Sequence, residues 1–196
     1  MKQIQEVYQK SNLPIKVVQF GEGRLLRTLI EPAFQKAIDE KRLEGSIAIV
    51  KPTGRGNLNT FQQQDCLYTI VLRGKQDGKT SDEAFPITCV NRAVNPYEDF
   101  EAFLALARLP ELEFVVSNTT EAGIVLDPED RFDAVPPRSF PGKLTRFLYE
   151  RYRYGEGAET YGLTILPTEL IERNGERLRD CVLKLAEIWK LEQPFC

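Results

Sequence analysis

Apolar positions along the chain follow two spacings. Ile15-Lys16-Val17-Val18-Gln19-Phe20 is rich in β-branched residues and closed by Gly21, which predicts a buried strand. From Leu25 to Leu43, the residues Leu25, Leu26, Leu29, Ile30, Ala33, Phe34, Ala37 and Ile38 recur at three-and-four spacing, the pattern of an amphipathic helix. Pro32 lies inside it and predicts a bend or short break, because proline lacks an amide donor and crowds the preceding turn. Gly45 closes the helix, and Ser46-Ile47-Ala48-Ile49-Val50 is a second buried strand. Residues 15–50 therefore predict a βαβ unit with parallel strands and a right-handed crossover.

Residues 51–64 carry Pro52, Gly54, Gly56 and three consecutive glutamines, and read as an exposed loop. Strand patterns at 67–72 and 84–90 flank Lys75-Gln76-Asp77-Gly78-Lys79, whose Asp-Gly pair is a turn signal. Helical patterns then cover 97–109, 142–154 and 176–189, with strands at 113–117 and 162–166 between them. This alternation predicts one α/β domain over residues 1–196. It is a Rossmann-like open, mostly parallel sheet with helices on both faces and a hairpin-like excursion around residues 67–90. Ligands of such sheets lie beyond the carboxyl ends of the strands, here Phe20-Gly21, Val50-Lys51, Ser117-Asn118 and Leu166-Pro167.

Composition narrows the chemistry. Hydrophobic residues make up 42% and charged residues 28%, enough for a globular core, and a net charge of −3 argues against a nucleic-acid surface. No apolar run approaches the ~20 residues of a membrane helix, and no signal-peptide stretch follows Met1. The chain has no histidine, which excludes a Ser-His-Asp triad, a Cys-His pair and any histidine-containing metal site within it. Cys66, Cys89, Cys181 and Cys196 form no Cys-x-x-Cys pair, so they read as small buried hydrophobes, with no metal expected and a cytoplasmic setting favoured.

Gly21-Glu22-Gly23 follows the first strand and opens a helix. The first glycine permits a tight turn, the second lets a pyrophosphate approach the backbone, and the helix amides favour the anion. A third glycine would fall at Leu26, so the fingerprint is incomplete; the alternative is a simple tight turn. Phe20, Arg24, Leu25 and Arg27 flank the turn, with the arginines able to meet phosphate or simply to be solvated. The second strand ends in Lys51 near Arg55, where an acid often binds the ribose. That leaves NAD and NADP both open on residue chemistry, beside the reading of a solvent-facing lysine. Asn118, Thr119, Thr120 and Glu121 offer hydrogen bonds to ribose or nicotinamide; the alternative is a helix N-cap at Thr120. Asp65 and Glu121 are a weak candidate pair for acid–base work. No proton donor stands out, so no catalytic residue is assigned.

Several longer stretches carry a resemblance. Val17-Val18-Gln19-Phe20-Gly21-Glu22-Gly23-Arg24-Leu25-Leu26-Arg27, Gln64-Asp65-Cys66-Leu67-Tyr68-Thr69, and Ser117-Asn118-Thr119-Thr120-Glu121-Ala122-Gly123-Ile124 are similar to the tagaturonate reductases (altronate oxidoreductases) of the mannitol dehydrogenase family. So are Phe140-Pro141-Gly142-Lys143-Leu144-Thr145-Arg146, with Leu148, Glu150 and Arg151, and Pro167-Thr168-Glu169-Leu170-Ile171 before Asn174-Gly175. The matches run in order from about residue 15 to residue 190. The resemblance implies an NAD-dependent oxidoreductase interconverting D-tagaturonate and D-altronate in hexuronate breakdown, with a small uronate or aldonate as substrate. It also implies that the chain is the N-terminal portion, its partner being its own helical C-terminal domain with a Lys-x-x-x-x-Asn-x-x-His motif. Mannitol-type relatives end the last strand in Ser-Cys-Asp-Asn, whose asparagine holds the oxyanion; Leu170 stands there, as suits the uronate branch. Glu169 and Asn174 are candidates for the border of the substrate site, with helix capping the simpler role for Asn174. The competing readings are a stand-alone nucleotide-binding or sensing module without catalysis, and a methyltransferase-like domain.

Overall fold

Side chains alternate across a strand, and β1 (Ile15–Phe20) and β2 (Ser46–Val50) divide their residues between two cores accordingly. In the computed structural model, which describes residues 3–76, 78–120 and 122–195, Val17, Ile47 and Ile49 face one layer. Val18, Phe20, Ala48 and Val50 face the other. The sheet order is β5-β2-β1-β6-β7, where β5 is Val90–Val94, β6 is Phe114–Ser117 and β7 is Thr164–Pro167, and every neighbouring pair is parallel. The βαβ unit of residues 15–50 is present as expected. Chain order runs outward from β1 on one side through β2 and β5, then returns to β6, so the topological switch point lies between β1 and β6.

On the first layer sits the helix after β1. It is π-helical over Leu26–Ile30 and becomes α1 (Glu31–Asp39), with Pro32 in the first turn of the α segment. The expected break is therefore a widened turn, in which the Glu31 amide reaches back to the Leu26 carbonyl. The second layer holds α3 (Phe100–Ala107), α4 (Phe140–Tyr154) and α5 (Asn174–Ile188). Phe20 is fully buried there among Phe103, Phe140 and Phe147, with ring centroids 5.2–6.1 Å away. Arg151, also buried, donates to the carbonyls of Ala107, Leu109, Leu112 and Tyr161 at 2.6–2.9 Å and so staples α4 to the segment entering β6.

The excursion is an antiparallel pair, β3 (Tyr68–Gln76) and β4 (Lys79–Ile87), longer than the pattern predicts; Asp77 of its turn lies outside the described residues. The segment read as one strand to residue 90 divides. After Ile87 the chain leaves the hairpin, and β5 joins β2 as an edge strand whose polar Asn91 and Arg92 masked it. The loop at 51–64 contains a short helix, α2 (Asn59–Gln63). Asp99 caps α3 through the Ala102 amide, so Tyr97 belongs to a preceding turn and not to the helix. Cys66, Cys89 and Cys181 are buried thiols; Cys196 lies outside the described residues. Among the described residues no helix is long and apolar enough to cross a membrane.

Candidate functional site

A crevice of about 780 Å³ opens at the carboxyl edge of the sheet, over the switch point. Its floor is Gly21-Glu22-Gly23, and one wall is Asn118-Thr119-Thr120 with Ala122 and Gly123. The opposite rim is Pro52-Thr53, and the far end is Arg138-Ser139-Phe140.

The two glycines of the floor differ in kind. Gly21 has φ +124° and its amide donates to the Val50 carbonyl. A Cβ there would stand 2.9 Å from Leu26 Cδ1 and 3.2 Å from the Asn118 carbonyl oxygen, so fold geometry alone demands glycine. Gly23 has no such reason, since a Cβ would meet nothing within 4 Å. The helix begins immediately afterwards at Arg24, and its leading amides have no carbonyl partner within the helix.

The wall is built by two strand ends gripping each other. Asn118 Nδ2 donates to the Thr168 carbonyl at 2.7 Å, while the Thr168 amide and hydroxyl donate to the Ser117 carbonyl. The buried Glu169 accepts from both the amide and the hydroxyl of Thr119 through Oε1, at 3.0 and 3.1 Å; its Oε2 is buried without a hydrogen-bond partner. Asn174 Nδ2 donates to the carbonyls of Pro167 and Glu169 and its Oδ1 accepts from the Gly175 amide at 2.7 Å, so Asn174, the first residue of α5, ties the end of β7 to a leading amide of the helix. Thr120 does not cap a helix: its carbonyl accepts from the Gly123 amide, and among the described residues no helix follows before α4. Glu121 lies outside the described residues, and Asp65 pairs instead with Lys10 at 2.5 Å.

Other sequence candidates stand off the crevice. Phe20 gives its ring to the core. Arg24 and Leu25 are exposed, and the Arg27 guanidinium lies over the Phe61 ring. Lys51 is not a solvent-facing lysine. It is 1% exposed, donates to the Arg55 carbonyl, and stands 3.6 Å from Glu22 Oε1, so a buried cation braces the floor from beneath; Arg55 is exposed.

Two supports had no clear signal in the sequence. Asp130, buried, accepts from the Arg138 and Ser139 amides at 2.7 and 2.8 Å, while Lys143 Nζ donates to the carbonyls of the same two residues. Burial draws the Lys143 ammonium down to about 8 against the nearby Asp130 charge. The second support lies under the floor. Gln19 Nε2 donates to the Gly21 carbonyl at 2.9 Å and to Glu31 Oε1 at 2.7 Å, and the Tyr68 hydroxyl reaches Glu31 Oε2. Gln19 and Tyr68 fall within two of the stretches that carry the resemblance, but no spacing in the sequence joins them to Glu31.

The family profile described as the mannitol dehydrogenase Rossmann domain matches residues 15–195. The chain belongs to the mannitol dehydrogenase family. Within that family it is similar to the altronate oxidoreductases of Bacillus subtilis (strain 168), 44% identical over 182 residues, and of Phocaeicola vulgatus, 37% identical over 190 residues. These alignments take in 93% and 97% of the chain but only 38% and 40% of the relatives, so the chain spans about two-fifths of their length. Among solved structures, Pseudomonas fluorescens mannitol 2-dehydrogenase, in a ternary complex with NAD and D-mannitol, superposes with a TM-score of 0.76 at 18% identity. That match covers 93% of this chain and 39% of that one. A D-sorbitol dehydrogenase matches with a TM-score of 0.71 at 22% identity, over 90% of this chain and 38% of that one. Both share the fold of this mannitol dehydrogenase family domain.

Proposed function

We propose that the chain is the NAD-binding domain of an oxidoreductase that interconverts D-tagaturonate and D-altronate. The observation that carries this reading is Gly23: it lines the crevice at the switch point, and no protein atom accounts for its missing side chain. A pyrophosphate approaching the backbone does account for it. The altronate oxidoreductase relatives support the reaction, and the ternary complex of the mannitol 2-dehydrogenase supports the cofactor.

When bound, NAD supplies the hydride chemistry. The chain's residues place it. The Gly21-Glu22-Gly23 turn and the amides from Arg24 onward receive the pyrophosphate. Thr119 and Thr120 face the crevice as hydrogen-bonding groups for the ribose and nicotinamide end. Glu169 and Asn174 hold that wall in place and act on the ligand only through it. Orientation of this kind is a major source of rate in hydride transfer, which also needs a proton donor at the carbonyl. We assign that donor to the portion of the longer protein that relatives carry beyond this domain, and accordingly expect the isolated chain to oxidise no NADH with tagaturonate.

NADH titration by calorimetry tests the binding. Replacing Gly23→Val puts a branched side chain where the pyrophosphate must approach, and the expected result is loss of measurable binding with an unchanged melting temperature. Equal affinity in the variant would remove the pyrophosphate from this turn, and a preference for NADPH would shift weight toward Lys51 and Arg55 as the groups that meet a 2′-phosphate.

A further inference from the structure

The Gln19 amide is a polar group at a position that its neighbours on the strand give to the apolar core. It lies within β1, fully buried, on the face that Val17 devotes to the core, and its Oε1 has no hydrogen-bond partner. Leaving a buried oxygen unpaired costs about 1–3 kcal/mol, and an apolar side chain of similar shape would avoid it. The two hydrogens on Nε2 are nevertheless both committed, one to the Gly21 carbonyl and one to Glu31 Oε1. Turned over, the amide would set its oxygen against both acceptors. Glu31 therefore fixes which way the amide points, and the amide fixes the Gly21 carbonyl.

Glu31 is held in turn. It is fully buried, and its second oxygen meets the hydroxyl of Tyr68, the first residue of β3. That hydroxyl is also 3.1 Å from the Arg27 carbonyl. We propose that Glu31 is a positioning residue for the dinucleotide-binding turn, acting through Gln19, with Tyr68 seating its carboxyl group from the hairpin side. The inference rests on the reading of Gly21-Glu22-Gly23 as the pyrophosphate site and adds a relay beneath it. Each member belongs to a different element: the hairpin strand β3, the start of α1, and β1. The relay gives the hairpin a role at the crevice, because the seat of its first residue is transmitted to the turn.

The experiment measures NADH affinity in the 196-residue chain for Glu31→Leu, Glu31→Gln and Tyr68→Phe, each alone and in a Gln19→Met background. Losing the bond that aims the amide should weaken binding by about five- to tenfold in Glu31→Leu, the equivalent of one buried hydrogen bond. Glu31→Gln should restore most of it. Its amide oxygen still accepts from Gln19, and its NH2 can donate to the Tyr68 oxygen while that hydroxyl turns to the Arg27 carbonyl. In the Gln19→Met background, Glu31→Leu should cause no further loss. Rescue by glutamine and this coupling are what a merely structural residue would not show, since lost stability alone would leave the affinity of the folded fraction unchanged. Equal losses in both backgrounds, or unchanged affinity with a lowered melting temperature, would overturn the relay. Amide chemical shifts of Glu22 and Gly23 give a second, ligand-free measurement. They should move in Glu31→Leu and return in Glu31→Gln, and shifts identical to wild type would overturn the proposal. If the wild-type chain binds no NADH, the pyrophosphate reading fails, while these shifts still decide whether Glu31 holds the turn.

Discussion

The two faces of the central sheet are built on different principles. Under α3, α4 and α5 the packing around β1 is aromatic, with Phe20 against Phe103, Phe140 and Phe147, and Phe103 against Phe147. Under α1 and the base of the hairpin, the same strands meet a core of Val17, Ile47, Ile49 and Val116 that is interrupted by Gln19, Glu31 and Tyr68. Burial of apolar area is non-directional, so the aromatic cluster itself stabilises the domain without aiming a group, and the polar anchors of this layer, Arg151 and the Asp130–Lys143 pair, stand around it at the helix ends. Hydrogen bonds are directional, and the second face uses them beside the turn proposed to receive the pyrophosphate. Gln19 and Phe20 are neighbours on β1 that point to opposite layers, so the division passes between two adjacent residues.

The largest expected effect comes from breaking the aromatic face. Phe20→Ala empties a site ringed by three other phenylalanines and should cost about 4 kcal/mol in urea unfolding, by lost transfer energy plus the cavity left behind. The NADH affinity of the folded fraction should change little by comparison. A loss in affinity as large as that in stability would mean that the two faces are not separable.

A smaller effect, with a sign of its own, is expected on the polar face. Burial pushes the Glu31 carboxyl above its ordinary value of 4.5, against the hydrogen bonds from Tyr68 and Gln19 and the Arg27 charge, which pull it down. The folded state then holds this proton more tightly than the unfolded state. Stability from that difference is fully present below pH 4.5 and is lost as pH rises through the raised value. Glu31→Gln carries no titrating proton, so its stability measured relative to wild type should improve as pH climbs through that window. Urea unfolding at a series of pH values checks it, and a gap that is constant with pH would contradict the upward shift of the buried carboxyl.

The aromatic face was legible in the sequence because strand and helix periodicity both mark apolar positions, and β1, β2 and most helices fall where those patterns put them. The glycine turn was legible for the same local reason. What periodicity hides is polar residues doing positional work. Gln19 reads as one odd residue in a strand, and Glu31 as a charge beside Pro32. The link from Tyr68 to Glu31 spans a hairpin whose docking no local pattern announces. Lys51 misled for a related reason: a lysine after a strand suggests solvent, yet the folded-back loop to Arg55 buries it. The Gln64-Asp65-Cys66 stretch carries part of the resemblance, but its structural role shows only in three dimensions. Asp65 and Cys66 both adopt left-handed backbone conformations that end α2 and launch β3. The Cys66 amide returns to the Phe61 carbonyl there, and the Gln64 side chain returns to the Leu67 carbonyl.

The smallest expected change in stability is the most discriminating, because it sits one residue from the largest. Gln19→Met keeps the length of the side chain and removes its amide. Two donated hydrogen bonds are lost, to Gly21 and to Glu31, but the buried Oε1 that had no partner goes with them. The buried Gly21 carbonyl and Glu31 Oε1 are left without their donor, and relief of the unpaired Oε1 offsets part of that, so the net cost should be about 1–2 kcal/mol. Glu31 then loses one of the bonds that favour its charged form and stays neutral to higher pH. The Gly21 carbonyl is left without the group that fixed it, so the crevice should bind NADH less tightly although the domain loses far less stability than in Phe20→Ala. Urea unfolding and NADH titration on the same preparation would read both quantities. A stability loss approaching that of Phe20→Ala would show that the amide belongs to the core after all, and that both faces of the sheet work in the same way.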